Sequence, residues 1–249
     1  MIHRKELKQE ARGILKNAQV SVYLFTLLFL VITLVLSLLS GLFTGTLASD
    51  LEKIFTDLGI PFTFHLPSFF ELPEVACTFI ALIVGMISTV LAQGYTLYHL
   101  GIHEKRTMPY ATLFDGFTFA GKIILLDILT TVLITLWSFL LVLPGLVAAY
   151  RYSLAFYNLC ENPDIGVMEA LRMSKKQTRG YKWSLFVLDL SFIGWYILSA
   201  LTMGLLNIWL EPYVMQTRVC CFQFIKNATG IGCLPPAEDN TFHPWDPSL

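Results

Sequence analysis

Long apolar runs separated by short amphipathic ones set the pattern of this chain. Six apolar stretches, roughly 18–47, 75–100, 122–143, 146–160, 184–204 and 208–226, each predict a membrane-spanning helix. A bilayer core of ~30 Å needs about 20 apolar residues in helical form. The fourth stretch, at about 15 residues, falls short of that length. Between the third and fourth, Pro144-Gly145 marks a helix break that suits a hairpin at one membrane face. Between the fifth and sixth, "MGLLN" at 203–207 does the same, and Glu211-Pro212 fits the first turn of the last helix. The first run follows a basic segment but is too long for the apolar part of a signal peptide, so it reads as a retained helix.

The intervening stretches have helical periodicity of another kind. Leu7, Ala11, Ile14 and Ala18 form one apolar edge, and Ile165, Met168 and Leu171 form another, with Asn162 placed to cap and Pro163 at the first helical position. "ELKQEARGILKNAQVSVYLF", "MPYATLFDGFTFAGKIILLD" and "VMEALRMSKKQTRGYKWSLFVLD" share one grammar: a short amphipathic run, a Gly or Asn with Lys, then a span. The expectation is an all-α, polytopic transmembrane bundle with six spans as three hairpins, each preceded by a short cytoplasmic interfacial helix. Duplication for assembly alone and a repeat-built transporter with a site between hairpins both fit this pattern.

Composition sharpens the membrane reading. Of 249 residues, 55% are hydrophobic and only 14% charged, against about 25% charged in a soluble domain. The net charge of −1 gives no reason to expect nucleic acid or an acidic partner. Basic residues cluster at the N-terminus (Arg4, Lys5, Lys8, Arg12, Lys16), after the second span (Lys105, Arg106, Lys122) and after the fourth (Arg172, Lys175, Lys176, Arg179, Lys182). The loop 48–74 on the other side carries only Lys53. The positive-inside rule then places both termini in the cytoplasm, a parity that six spans satisfy. Residues 1–227 form one membrane domain on this reading, and the proline-rich 228–249 a disordered cytoplasmic tail. The outer loop, rich in proline and phenylalanine, is expected to lie along the interface. The face formed by Arg172, Lys175, Lys176, Arg179 and Lys182 suits anionic lipid headgroups.

Charges inside the spans are the candidate site. Asp127, Arg151, Asp189, Glu211 and Arg218 each cost about 2.5–3.5 kcal/mol at the bilayer centre unless paired or hydrated. Counting from the hairpin turns at ~1.5 Å per residue puts Arg151 and Glu211 within about 2 Å in depth. The same count separates Asp189 and Arg218 by about 7–8 Å, within reach of a long arginine. Two pairs are therefore predicted, Arg151 with Glu211 and Asp189 with Arg218, and Asp127 is level with the second. They serve either as structural glue or as a polar pathway.

Catalytic and metal motifs are scarce. The chain has no GxSxG, no GxxxxGK[ST], no HExxH and no GxGxxG after a strand, and Ser153, Ser174 and Ser191 have no histidine partner. His99 and His103 stand four apart on one helix face, the spacing of a zinc pair, and are the metal candidates. The five cysteines, Cys77, Cys160, Cys220, Cys221 and Cys233, match no ribbon or redox spacing, and no structural disulfide is expected. No cofactor is expected.

The run "YRYSLAFYNLCENPDIGVMEALRMSKKQTRGYKWSLFVLDLSFIGWYILSALTMGLLNIWLEPY" at 150–213, with "RKELKQEARGILK" at 4–16, resembles an uncharacterised bacterial integral membrane family, domain of unknown function 975. The resemblance extends to about residue 227. It implies a multi-pass cell-membrane protein and brings no activity with it. The expected function is non-catalytic: membrane binding, assembly or modulation, with lipid and an unidentified membrane protein or small solute as partners. A small permease or channel is the alternative, and an intramembrane enzyme is the reading that no motif supports.

Overall fold

Amphipathic periodicity gives the first helix and its Leu7 and Ala11, while the buried face ends on Leu15 rather than on the expected Ile14 and Ala18, which are half-buried. Helix α1 (Arg4–Asn17) buries Leu7, Ala11 and Leu15, each four residues from the last, and leaves Arg4, Lys5, Arg12 and Lys16 exposed. The structure, a computed structural model, describes residues 4–18, 21–44, 46, 52–53, 73–140 and 142–232. Helix α2 (Val22–Thr44) follows, then α3 (Glu74–His103) and a 3-10 helix (Tyr110–Phe119). Helix α4 (Ala120–Leu140) leads to α5 (Val142–Tyr152) and α6 (Ala155–Glu161). The chain then forms α7 (Val167–Gln177), α8 (Lys182–Leu190), α9 (Ile193–Leu201) and α10 (Asn207–Thr229). All regular structure among the described residues is helical.

The amphipathic elements close the bundle into a ring. The 3-10 helix packs back on α3, which precedes it, and α7 packs back on α6. Helix α1 packs on α10, joining the first and last of the described helices. Lys8 donates to Ser191 Oγ at 2.8 Å and lies 4.0 Å above the Phe192 ring, while Arg12 donates to Tyr213 OH at 3.1 Å. These contacts fasten α1 to the α8–α9 turn and to α10. Burial and the nearby Arg4 and Arg12 lower the Lys8 pKa.

The second amphipathic stretch is a 3-10 helix, for a packing reason. In that geometry residues i and i+3 eclipse, so Leu113 and Gly116 form one buried row and Phe114 and Phe117 one exposed row. The buried row lies directly on α3, where a Cβ at Gly94 would overlap the Leu113 carbonyl. An aromatic stack completes this corner, with Phe25 of α2 3.7 Å from Tyr98 and Phe29 4.6 Å from Tyr95 between ring centroids.

Four stretches are long and apolar enough to cross a membrane: Val22–Thr44, Glu74–His103, Tyr110–Phe139 and Lys182–Leu201. Two of the six expected spans do not qualify. The stretch 146–160 is two short helices, because the chain turns at Ser153-Leu154. The orphan groups of that turn are taken up by α7: Ser174 Oγ donates to the Arg151 carbonyl at 2.9 Å and accepts from Leu154 N–H at 3.2 Å. The stretch 208–226 is one continuous helix, α10, but Gln216, Arg218, Gln223 and Lys226 make it too polar to qualify by composition.

The proposed breaks also shift. Pro144 and Gly145 lie inside α5, where Pro144 is the third residue and its missing N–H would have had no helical partner anyway. Gly145 is required by the crossing of α4 over α5, because a Cβ there would overlap Ser138. Pro212 is not in the first turn of the last helix but in the second, since α10 already starts at Asn207. There it removes the bond to the Ile208 carbonyl. The turn between α9 and α10 falls where "MGLLN" predicts, with Met203 and Gly204 at φ 50° and 84°.

At the C-terminus, 228–229 complete α10 and Gly230 caps it at φ 65°. The Ile231 carbonyl then accepts from Gln177 Nε2 at 3.0 Å. The expectations for the rest of the tail (233–249), and for the outer loop apart from 52–53 and 73–74, lie outside the described residues.

Candidate functional site: a charged cleft among the helices

The Asp189 and Arg218 side chains meet between α8 and α10. Arg218 Nε and Nη2 both donate to Asp189 Oδ1, at 3.1 and 3.0 Å, and Tyr150 OH donates to the other carboxylate oxygen at 3.2 Å. The depth count anticipated this pair because helix α10 runs unbroken through Arg218. The tyrosine was not anticipated, as nothing in its local sequence separates it from the neighbouring Tyr152.

Around this triad two cavities share Ser153, Tyr157 and Arg218. The first, about 320 Å³, adds Tyr150 and Asp189 beneath the apolar Leu146 and Leu185. The second, about 280 Å³, adds Gln93, Tyr95 and Glu211. Arg218 thus stands between two carboxylates, bonded to Asp189 and bordering the cavity that Glu211 lines. One guanidinium facing two acids leaves an excess of acceptor capacity in the cleft.

Arg151 and Glu211 do not meet. The Arg151 guanidinium is 5.8 Å from the Tyr152 ring, and no ion pair joins it to Glu211. The depth count took Pro144-Gly145 as the turn, whereas both residues lie inside α5, which begins at Val142. The cation in that apolar stretch is tolerated at a helix end, where it favours the negative pole of the helix dipole. Asp127 is half-buried on α4 and joins no ion pair among the described residues. An ion pair that the sequence pattern did not single out, Lys226 Nζ with Glu161 Oε2 at 2.7 Å, ties α10 to α6, and Gln223 donates to the same carboxylate at 2.9 Å.

The basic helix presents a clean division of faces. Val167, Ala170, Leu171, Ser174 and Gln177 of α7 are buried. Arg172, Lys175, Lys176 and Arg179 are exposed, Lys182 is half-buried, and none of the five forms an ion pair among the described residues. The buried side is held by a reciprocal amide pair, Asn158 Nδ2 to Gln177 Oε1 at 2.8 Å and Gln177 Nε2 to Asn158 Oδ1 at 2.9 Å.

The two histidines occupy different environments. His99 is fully buried, its Nδ1 2.8 Å from Gln216 Oε1 and its ring edge-on to Tyr95 and Tyr98. His103 ends α3 one turn later, beside α1. No disulfide joins the described cysteines Cys77, Cys160, Cys220 and Cys221.

This is a helical protein with four stretches fit to cross a membrane, and Asp189, Arg218 and Glu211 line two adjoining interhelical cavities. A family model described as "Protein of unknown function (DUF975)" matches residues 1–149 and 139–229, and the chain belongs to that family. No curated protein and no solved structure matches the chain.

Proposed function

We propose that this is a non-catalytic, multi-pass protein of the cell membrane that holds anionic lipid headgroups on its cytoplasmic face. In this reading α5–α6 and α10 complete the crossing, giving six passes as three hairpins with both termini in the cytoplasm. The helix order supports it, since each hairpin is preceded by an amphipathic or 3-10 element that docks on a neighbouring arm. The observation that carries the lipid reading is the unpaired cationic face of α7 and the turn after it, opposite a buried face of Val167, Ala170, Leu171, Ser174 and Gln177. Each such cation is worth about 1 kcal/mol beside an anionic leaflet. Association with a membrane partner or a small solute would use the cleft.

The test compares the protein in nanodiscs of zwitterionic lipid with nanodiscs containing phosphatidylglycerol. Thermal stabilisation by the anionic lipid should be present in the natural chain and lost when Arg172, Lys175, Lys176 and Arg179 are all replaced by Gln. Equal stabilisation of both chains would end the lipid reading.

A permease is the second reading, favoured by Arg218 lying between Asp189 and Glu211 across two adjoining cavities. Asp127→Cys, Asp189→Cys and Arg218→Cys, made without the native cysteines, distinguish the two. Labelling by aqueous thiol reagents from both sides of the membrane favours a pathway, and protection from both favours a binding or assembly protein.

A further inference from the structure

Three metal-binding side chains from distant parts of the chain converge where α1, α3 and α10 meet. Glu10 is exposed on α1, His103 ends α3, and Cys220 is buried in α10. A carboxylate oxygen, an imidazole nitrogen and the thiol sulfur all lie within 4.8 Å of one another. A tetrahedral zinc ion with bonds of about 2.0–2.3 Å holds its ligands about 3.3–3.7 Å apart, so side-chain rotations of about 1 Å close the site. The three residues belong to three helices that the ring closure brings together, so no local sequence spacing produces the cluster.

The His103 ring adds an independent sign. Its Nδ1 is shielded from solvent and has no hydrogen-bond partner among the described residues, as is true of His99 Nε2 and Gln216 Nε2 nearby, and a metal would satisfy it. One sulfur, one nitrogen and one oxygen ligand make a borderline donor set that suits Zn²⁺ better than Mg²⁺ or Ca²⁺, which take oxygen alone. Three protein ligands leave a fourth position, and Glu10 and His103 also line a cavity of about 500 Å³ with Lys105 and Arg106 on its wall. A cationic wall beside an open coordination position favours water or a small anion there.

We propose that Glu10, His103 and Cys220 form a three-ligand zinc site that fastens helix α1 to α3 and α10, its fourth position open to the adjoining cavity. The sequence spacing pointed to His99 and His103 as the pair. The structure gives His99 to Gln216 instead, and replaces it with ligands from the two flanking helices.

Cobalt(II) serves as the probe, added to the full-length chain in nanodiscs after chelation. One equivalent should produce tetrahedral ligand-field bands and a sulfur-to-cobalt charge-transfer band, and zinc should displace it. Loss of an outer-sphere partner weakens metal binding about 10–100-fold, so loss of a ligand in Glu10→Gln should weaken cobalt at least that much. Cys220→Ser should abolish the charge-transfer band, while Cys221→Ser, one residue along and outside the cluster, should keep it. No band in the natural chain, or a band that survives Cys220→Ser, overturns the site. Should Cys220→Ser not fold, the exposed Glu10→Gln still decides, because unchanged cobalt affinity there overturns the site equally.

Discussion

Helices α2 and α10 are each 23 residues long and have opposite chemistry. Helix α2 has no charged residue, yet it buries only Val22, Phe25 and Thr26, all near its start. Leu24, Leu27, Val31, Leu34, Val35, Leu38 and Leu39 stand exposed along the rest. Helix α10 carries Glu211, Arg218 and Lys226 and is the most enclosed long helix, with buried residues from Leu210 to Ile225. In water the assignment would be reversed, because apolar faces turn inward. In lipid a leucine gains little by leaving the hydrocarbon, so packing fit and polar contacts choose which helix is central. The most polar long helix sits inside because its charges find Asp189 and Glu161 there.

Four experiments sharpen or break that contrast. Phe222→Ala removes a fully buried ring from α10 and should destabilise the protein by about 3–5 kcal/mol, read as a lower midpoint of thermal unfolding in detergent. A small loss would mean that α10 is not the centre of the bundle. Leu34→Lys places a charge on the outward face of α2 and should cost about 2.5–3.5 kcal/mol of membrane insertion, measured by glycosylation reporters in a translation system. Normal insertion would show that this face is not in hydrocarbon.

The Asp189–Arg218 pair should be coupled by about 0.5–3 kcal/mol in a double-mutant cycle of Asp189→Asn and Arg218→Gln. Removing one partner then costs more than removing both, because a lone charge is left behind. Additive losses would reduce the pair to a coincidence of position. Leu34→Ala, the mildest change, should stay within about 0.5 kcal/mol. A core-sized loss there would mean that another chain covers α2.

Legibility followed chain continuity. Leu7 and Ala11 were readable because a helix repeats its face over three or four residues, but the face continues to Leu15, leaving the expected Ile14 and Ala18 half-buried. Asp189 and Arg218 were readable by depth because α10 runs unbroken from its turn to Arg218, whose long side chain spans the remaining offset. Arg151 and Glu211 failed for the opposite reason. The count to Arg151 started from a turn at Pro144-Gly145, and both residues lie inside α5, which begins at Val142. The 3-10 form of Tyr110–Phe119 was equally hidden, since apolar spacing at three and four admits both helices, and its close seat on Gly94 is a tertiary contact.

By itself the sequence determined the helical class, the long apolar stretches, the two amphipathic α-helices and the inventory of charges, because these depend on local periodicity and on the cost of apolar and ionic groups. Only the tertiary structure decided that α1 closes the ring on α10, and so brought Glu10 to His103 and Cys220. It also decided that Arg218 stands between Asp189 and the cavity lined by Glu211. Those meetings join residues far apart along the chain, or depend on where a helix bends, and both are set by how side chains fill the space between helices.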